Sequence, residues 1–213
     1  MTLRSVYKEN LIFFLGYFFL LLIAVIILLT YSKEAGFVLL NPYHTDFLNF
    51  VFEGVTLLGD GLFTVGFCVV LLFIKKRYLS FMVFLSFATS GILTQVIKDF
   101  VIEARPALFL QKTQYPYFIN HVTLHNFHSF PSGHSTSAFA LVSIIAFAVK
   151  DKKYAIPLLA LATLIAYSRI YLGQHFLIDV TVGSFIGVLF SVICWMSFQS
   201  FYEDLQKNKP LIP

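Results

Sequence analysis

The sequence is poor in charge. Asp, Glu, Lys and Arg make up 12% of its 213 residues, against about 25% in an ordinary soluble domain. That scarcity excludes a water-soluble domain, because 58% of the residues are hydrophobic and no single core of this size could bury so much apolar surface. A nucleic-acid partner is excluded as well. The formal net charge is only +4, and the basic residues lie in short scattered clusters instead of one patch. Cysteine is scarce too. Cys68 and Cys194 both fall in apolar runs, so there is no disulfide framework and no metal-ligand pattern of cysteines. Each is expected to be a small buried hydrophobe. Internal repeats, low-complexity tracts and signs of a second domain are missing, and nothing in the sequence specifies an oligomeric state.

What is present is a series of long apolar runs, rich in the 26 Phe and 11 Tyr. They cover 11–31, 57–74, 79–97, 135–149, 155–171 and 177–198. Several approach the roughly 20 residues that a helix needs to cross a bilayer. The fourth and fifth are shorter and are expected to extend into their flanks. Lipid offers the backbone no hydrogen-bond partner, and no barrel-like alternation is visible, so the runs must be helices. The expected fold is an all-α integral membrane bundle of six transmembrane helices, forming one domain over 1–213. Arg4 and Lys8 precede the first run as they would in a signal peptide. The run is too long for a signal core, and no small-residue cleavage site follows, so it reads as an uncleaved transmembrane helix.

The Lys and Arg residues set an orientation. With the N-terminus inside, the inner segments hold Arg4, Lys8, Lys75, Lys76, Arg77, Lys150, Lys152, Lys153, Lys207 and Lys209, whereas the outer ones hold only Lys33, Lys98, Arg105, Lys112 and Arg169. The positive-inside rule therefore places both termini in the cytoplasm. The outer loop 32–56 contains the turn signal Asn41-Pro42 and then an amphipathic stretch, 46–52, expected to be a short interfacial helix. The loop 98–134 is long and polar, with Pro106, Pro116 and Pro131, and 169–176 is a short re-entry.

Three clusters fall on this outer side: Lys98-x6-Arg105-Pro106, Pro131-Ser132-Gly133-His134, and Ser168-Arg169-x5-His175-x3-Asp179. Lys98, Arg105 and Arg169 put three cations at the outer ends of apolar helices, where ionisable groups are costly and are paired or functional. No comparable set of acids is available to pair all three. A phosphate group would neutralise them, since the arginine fork fits its oxygens and lysine adds a point charge. Ser132 and Gly133 precede the fourth helix. Glycine lets a ligand approach the backbone, and free N–H groups at a helix start bind anions. Pro-Ser-Gly is equally an ordinary helix cap. His175 and Asp179 are four apart and are expected to share a helix face. A carboxylate there can hold the imidazole Nδ1–H and leave Nε2 free to attack. Alone, such a pair is more often structural; with the cations and His134 on the same membrane face, the functional reading prevails.

These clusters resemble the signature of the type 2 phosphatidic acid phosphatase superfamily, whose active site is shared with vanadium haloperoxidases. The similarity spans 98–179, and the six-helix layout extends it over most of the chain. Leu58-Gly59-Asp60-Gly61 resembles the family more weakly. The resemblance implies that His175 attacks phosphorus and forms a phosphohistidine, that Asp179 orients His175, and that His134 protonates the leaving oxygen and then activates water. It implies that Lys98, Arg105, Ser132, Gly133 and Arg169 hold the phosphoryl oxygens, with no metal and no cofactor. The partners it implies are a lipid-linked phosphate and the bilayer itself.

Other residues carry weaker expectations. His121 and His125 have the spacing of helical metal ligands, but the loop lacks companion Cys or carboxylate ligands. With His128 they are expected to be solvated or to rim the site. His44 is expected at the interface. Asp60 and Glu53 are placed to touch a headgroup, though Asp60 can equally cap the second helix. The Phe-rich stripes are expected to face lipid or pack.

Three functions compete. The first is a lipid phosphate or diphosphate phosphatase of a bacterial inner membrane, acting at the periplasmic or exterior face. Undecaprenyl diphosphate, phosphatidylglycerol phosphate, phosphatidic acid and lipid A phosphates are its candidate substrates. The second is a phosphotransferase using the same phosphoenzyme. The third is a transporter or structural membrane protein, disfavoured because the polar groups gather at one face and no paired repeats or broken mid-membrane helices are visible. A haloperoxidase is disfavoured because those enzymes are expected to be soluble and larger.

Overall fold

Leu11–Thr30 is apolar on every side, and it forms one unbroken helix with most of its large side chains facing outward. A helix hydrophobic all round belongs in lipid. The computed structural model describes residues 2–110, 115, 118, 119 and 122–207, with backbone alone for 200–207. Every regular element among them is helical. In order they are α1 (Leu3–Glu9), α2 (Leu11–Thr30), α3 (Lys33–Leu40), α4 (Asp46–Leu57), α5 (Gly61–Phe73), α6 (Arg77–Phe100), α7 (Pro106–Phe109), α8 (Gly133–Ala148), a 3-10 turn (Lys152–Tyr154), α9 (Ala155–Tyr171) and α10 (Leu177–Lys207).

Four stretches are long and apolar enough to cross a membrane: Leu11–Thr30, Arg77–Phe100, Lys152–Tyr171 and Leu177–Gln199. The pair α4 and α5 passes the same test as one broken span, bent by 57°. α8 is apolar but has only 16 residues. The all-helical membrane architecture agrees with the sequence reading. Four runs are spans outright, the second is part of a bent pair, and α8 is short.

The boundaries moved where caps overrule apolar content. The second run begins at Gly61, not at 57, because the Asp60 carboxylate accepts from Leu62 N–H at 2.8 Å and starts a new helix. The expected interfacial helix at 46–52 continues to Leu57, capped at its start by the Thr45 hydroxyl. α1, α3 and α7 were not expected from periodicity. Thr2 and Ser32 cap the first two through their hydroxyls, and Pro106 begins the third.

α8 is the centre of the bundle. Its residues from Ser135 to Phe147 are almost all buried, among α6, α9 and α10. Small residues make this possible. On α10, a Cβ added at Gly183 would stand 2.5 Å from the Ser132 carbonyl oxygen, and one at Gly187 would stand 2.6 Å from that of Thr136. Two glycines four apart thus let α10 lie directly on the start of α8. Hydroxyls join the helices: Ser86 with Ser191 at 2.8 Å, Thr94 with Thr136 at 3.1 Å, and Tyr17 with Ser184 at 3.0 Å. Cys68 and Cys194 are buried and unbonded to each other, as expected.

Candidate active site

One end of the bundle gathers the C-terminal ends of α6 and α9 and the N-terminal ends of α8 and α10. α9 ends in the turn Leu172–Phe176. Gly173 adopts a left-handed φ of +66°, which reverses the chain. The N–H groups of Gln174 and His175 then both donate to the Arg169 carbonyl, at 2.9 and 3.1 Å. His175 therefore sits in the turn before α10, not on its face. The expectation that His175 and Asp179 share a helix face is corrected: their proximity comes from the turn, because α10 starts only at Leu177.

The pair is nevertheless brought together and buried, His175 at 2% exposure and Asp179 at 0%. His175 Nδ1 lies 3.4 Å from Asp179 Oδ2, within ion-pair range but long for a hydrogen bond. That oxygen already accepts from the Ser129 hydroxyl and, at 2.9 Å, from Phe176 N–H. Asp179 Oδ1 and His175 Nδ1 have no hydrogen-bond partner among the described residues. Burial pushes the His175 imidazole below its ordinary titration range. Asp179 opposes this shift, and the Arg169 and Arg105 guanidiniums add to it. The ring is neutral at neutral pH, with a lone pair available for attack.

The cations are held by neutral oxygens. Lys98, in the last turn of α6, donates to the His128 carbonyl at 2.9 Å. Arg105 donates through Nε to the Phe127 carbonyl at 3.0 Å, and through Nη1 to the Gln174 amide and carbonyl oxygens at 3.0 and 3.3 Å. Burial lowers the Arg105 titration, while Asp179 raises it. Arg169, in the last turn of α9, donates through Nη1 to the Thr56 hydroxyl at 2.7 Å. Its Nε is buried without a partner among the described residues.

Ser132 caps α8, accepting from the Ser135 hydroxyl at 3.0 Å, and its own N–H donates to the Asp179 carbonyl at 3.0 Å. The cap reading of Pro-Ser-Gly therefore holds for this side chain. Gly133 differs: a Cβ there would meet nothing within 4 Å. Space remains open at a helix start whose first N–H groups have no intrahelical acceptor. His134 follows in the same turn. All eight residues picked out by the sequence thus converge on one end of the bundle.

Sequence reasoning missed Ser129, Gln174 and Thr56, which buttress Asp179, Arg105 and Arg169. Gln174 was adjacent to a motif residue; the other two carried no local signal. His128 is exposed, as expected, and it also serves as a strut, since its Nδ1 meets the Lys98 carbonyl at 2.9 Å. His125 is exposed, as expected. The metal-spaced pair falls on His121, which with Lys112, Pro116 and Lys209 lies outside the described residues. His44 is packed, not simply interfacial: it stacks on Tyr171 at 4.2 Å and meets Asn41 Oδ1 at 2.8 Å.

A buried histidine–aspartate pair and three cations, Lys98, Arg105 and Arg169, thus lie at one end of an apolar helical bundle, an arrangement able to receive an anion. The chain belongs to the PAP2 superfamily, whose family model matches residues 79–203. It is 31% identical to phosphatidylglycerophosphatase B of Bacillus subtilis, over 67% of this chain and 71% of that protein. It is 32% identical to a lipid A 1-phosphatase of Rhizobium johnstonii, over 54% of this chain but only 46% of that protein. Among solved structures it resembles the transmembrane PAP2 type phosphatidylglycerolphosphate phosphatase of Bacillus subtilis, with a TM-score of 0.63 and 28% identity over 97% of this chain and 100% of that one. Aquifex aeolicus LpxE gives the same TM-score and identity over 75% of this chain and 92% of that one.

Proposed function

We propose that the protein is a lipid phosphatase that hydrolyses a phosphomonoester or diphosphate of a membrane lipid through a phosphohistidine on His175. The carrying observation is the charge arrangement. Lys98 and Arg105 are anchored by carbonyl and amide oxygens and Arg169 by a hydroxyl, so their positive charge is left for an anion. A phosphoryl group seated among them lies beside the open Gly133 turn. The named activities of the relatives, on phosphatidylglycerophosphate and lipid A, are the substrate classes favoured.

His175 Nε2 attacks phosphorus and the bond to the leaving oxygen breaks, with His134 supplying the proton to that oxygen. Asp179 receives the Nδ1–H of the positively charged ring; catalytic hydrogen bonds that are long without ligand shorten when substrate is bound. His134, now neutral, takes a proton from water as the water attacks phosphorus. The P–N bond breaks, phosphate leaves and His175 is restored. The cations stabilise the charge on the equatorial oxygens, which is the main catalytic need in phosphoryl transfer, and the reaction uses no metal ion.

The reading extends to architecture. The whole chain is one domain of six spans, counting α8 and the bent α4–α5 pair, in a bacterial inner membrane. The site faces the periplasm or exterior, and both termini are cytoplasmic. In keeping with this arrangement, the Glu9 carboxylate at the end of α1 acts electrostatically on Lys152 in the α8–α9 connection.

Rapid-quench labelling with a ³²P-phosphorylated substrate tests the chemistry. His175→Ala should lose both turnover and labelled enzyme. His134→Ala should lose about 10²–10⁴-fold on a lipid phosphate and much less on an aryl phosphate, whose leaving group needs little protonation. Activity should persist in EDTA. Labelled enzyme in His175→Ala, or loss on chelation restored by a divalent ion, would overturn the mechanism.

A further inference from the structure

The turn joining α4 to α5 enters the site from outside the three motifs. Thr56, near the end of α4, holds Arg169. Gly59 is buried against the start of α8. A Cβ on it would stand 3.2 Å from His134 Cβ, 3.3 Å from the His134 carbonyl oxygen and 2.6 Å from Ile165 Cγ2. Any side chain there would push the turn off His134. The next residue, Asp60, spends one carboxylate oxygen on the Leu62 N–H at 2.8 Å. An ionised carboxylate has about four acceptor sites on two oxygens, so the cap leaves most of its capacity and all of its charge. That charge acts on both His134 and Arg169.

A helix cap does not call for a carboxylate. Asn and Ser cap about as well as Asp, and a negative charge beside a phosphate cradle opposes phosphate binding. The charge is better explained by what surrounds His134. The charged groups that reach it are Arg169 from α9, Arg105 from the loop after α6, Lys98 from α6, and Asp60. Burial and the three cations disfavour the charged imidazole, and Asp60, the one carboxylate among these groups, favours it.

We propose that Asp60 is the positioning residue of His134: its carboxylate offsets part of the cost that burial and the three cations place on the imidazolium whose proton is delivered to the leaving oxygen. Each histidine then has its own carboxylate, Asp179 for the nucleophile and Asp60 for the acid. The inference rests on the acid role of His134. It also explains why Gly59 has no side chain, since the turn must lie on α8 for Asp60 to act.

The test compares Asp60→Asn and Asp60→Ser, which both retain a cap and remove the charge, with the parent and His134→Ala. The purified full chain in detergent is assayed on an alkyl lipid phosphate and on p-nitrophenyl phosphate across pH. Both Asp60 variants should show the alkaline fall of kcat moved to lower pH by about one unit on the alkyl substrate, hence a roughly tenfold loss on that limb. Their rates on p-nitrophenyl phosphate should change little. A merely structural cap would lower both substrates together and leave the pH profile in place; that result, or profiles superimposable on the parent's, overturns the proposal. If His134→Ala itself loses equally on both substrates, the acid reading fails. If His134→Ala discriminates and the Asp60 variants do not, only the role of Asp60 fails.

Discussion

At the scale of single residues, the site depends on how each cation is tethered. Arg169 shows this most clearly. One nitrogen is fixed by Thr56 at 2.7 Å while Nε is buried without a partner among the described residues, so part of the guanidinium is oriented and part is left for a ligand. A planar fork held in this way binds phosphate oxygens at two points, whereas a lysine offers one mobile point charge. Arg169→Lys should therefore lower kcat by about 10²-fold, the loss typical of removing one oriented donor from a charge-stabilising site. Steady-state assay on a short-chain lipid phosphate measures it, and an unchanged kcat would remove Arg169 from the cradle. His175 is the converse case. Its neutral state follows from burial and the neighbouring guanidiniums, neither visible in a His-x3-Asp spacing.

At the scale of elements, the site exists because α8 and α10 touch. Gly183 and Gly187 remove the side chains that would hold the helices apart, and the Ser132 N–H then reaches the Asp179 carbonyl at 3.0 Å. A Cβ at Gly187 would lie 2.6 Å from the Thr136 carbonyl oxygen and 2.9 Å from Ala140 N. Those are backbone atoms, so a helix must move. Gly187→Ala should destabilise the protein by about 1–3 kcal/mol and reduce activity as His134 and His175 separate. Gly91 on α6 is the control, since a Cβ there meets nothing within 4 Å. Gly91→Ala should leave the melting temperature in detergent equal or higher, because alanine is the better helix former. Equal melting temperatures for Gly187→Ala and the parent would show that the contact is not tight. The Gly-x3-Gly at 183–187 was not singled out from the sequence, because spacing alone does not name the helix that packs on it.

At the scale of the whole molecule, α8 separates two polar ends. The cationic site lies at its start, and Lys150, Lys152 and Lys153 follow its end. With the lysine-rich end in the cytoplasm, a cysteine at His125 should react in intact cells with a membrane-impermeant thiol reagent, whereas one at Lys150 should react only after permeabilisation. Both positions are exposed, and the native Cys68 and Cys194 are buried, so background labelling should be low. The reverse pattern would place the site on the cytoplasmic side. The sequence by itself determined the helical membrane class, because charge scarcity and apolar runs of this length leave the backbone no other way to satisfy its hydrogen bonds in lipid. It also marked out the candidate residues of the site, because ionisable side chains at the ends of apolar runs are costly and call for a partner or a role. Only the tertiary structure decided the rest. The break between α4 and α5, the turn that carries His175, and the approach of Gly59 to His134 depend on caps, a left-handed glycine and contacts across the bundle. Those interactions join residues far apart in the chain, and neither periodicity nor motif spacing records such neighbours.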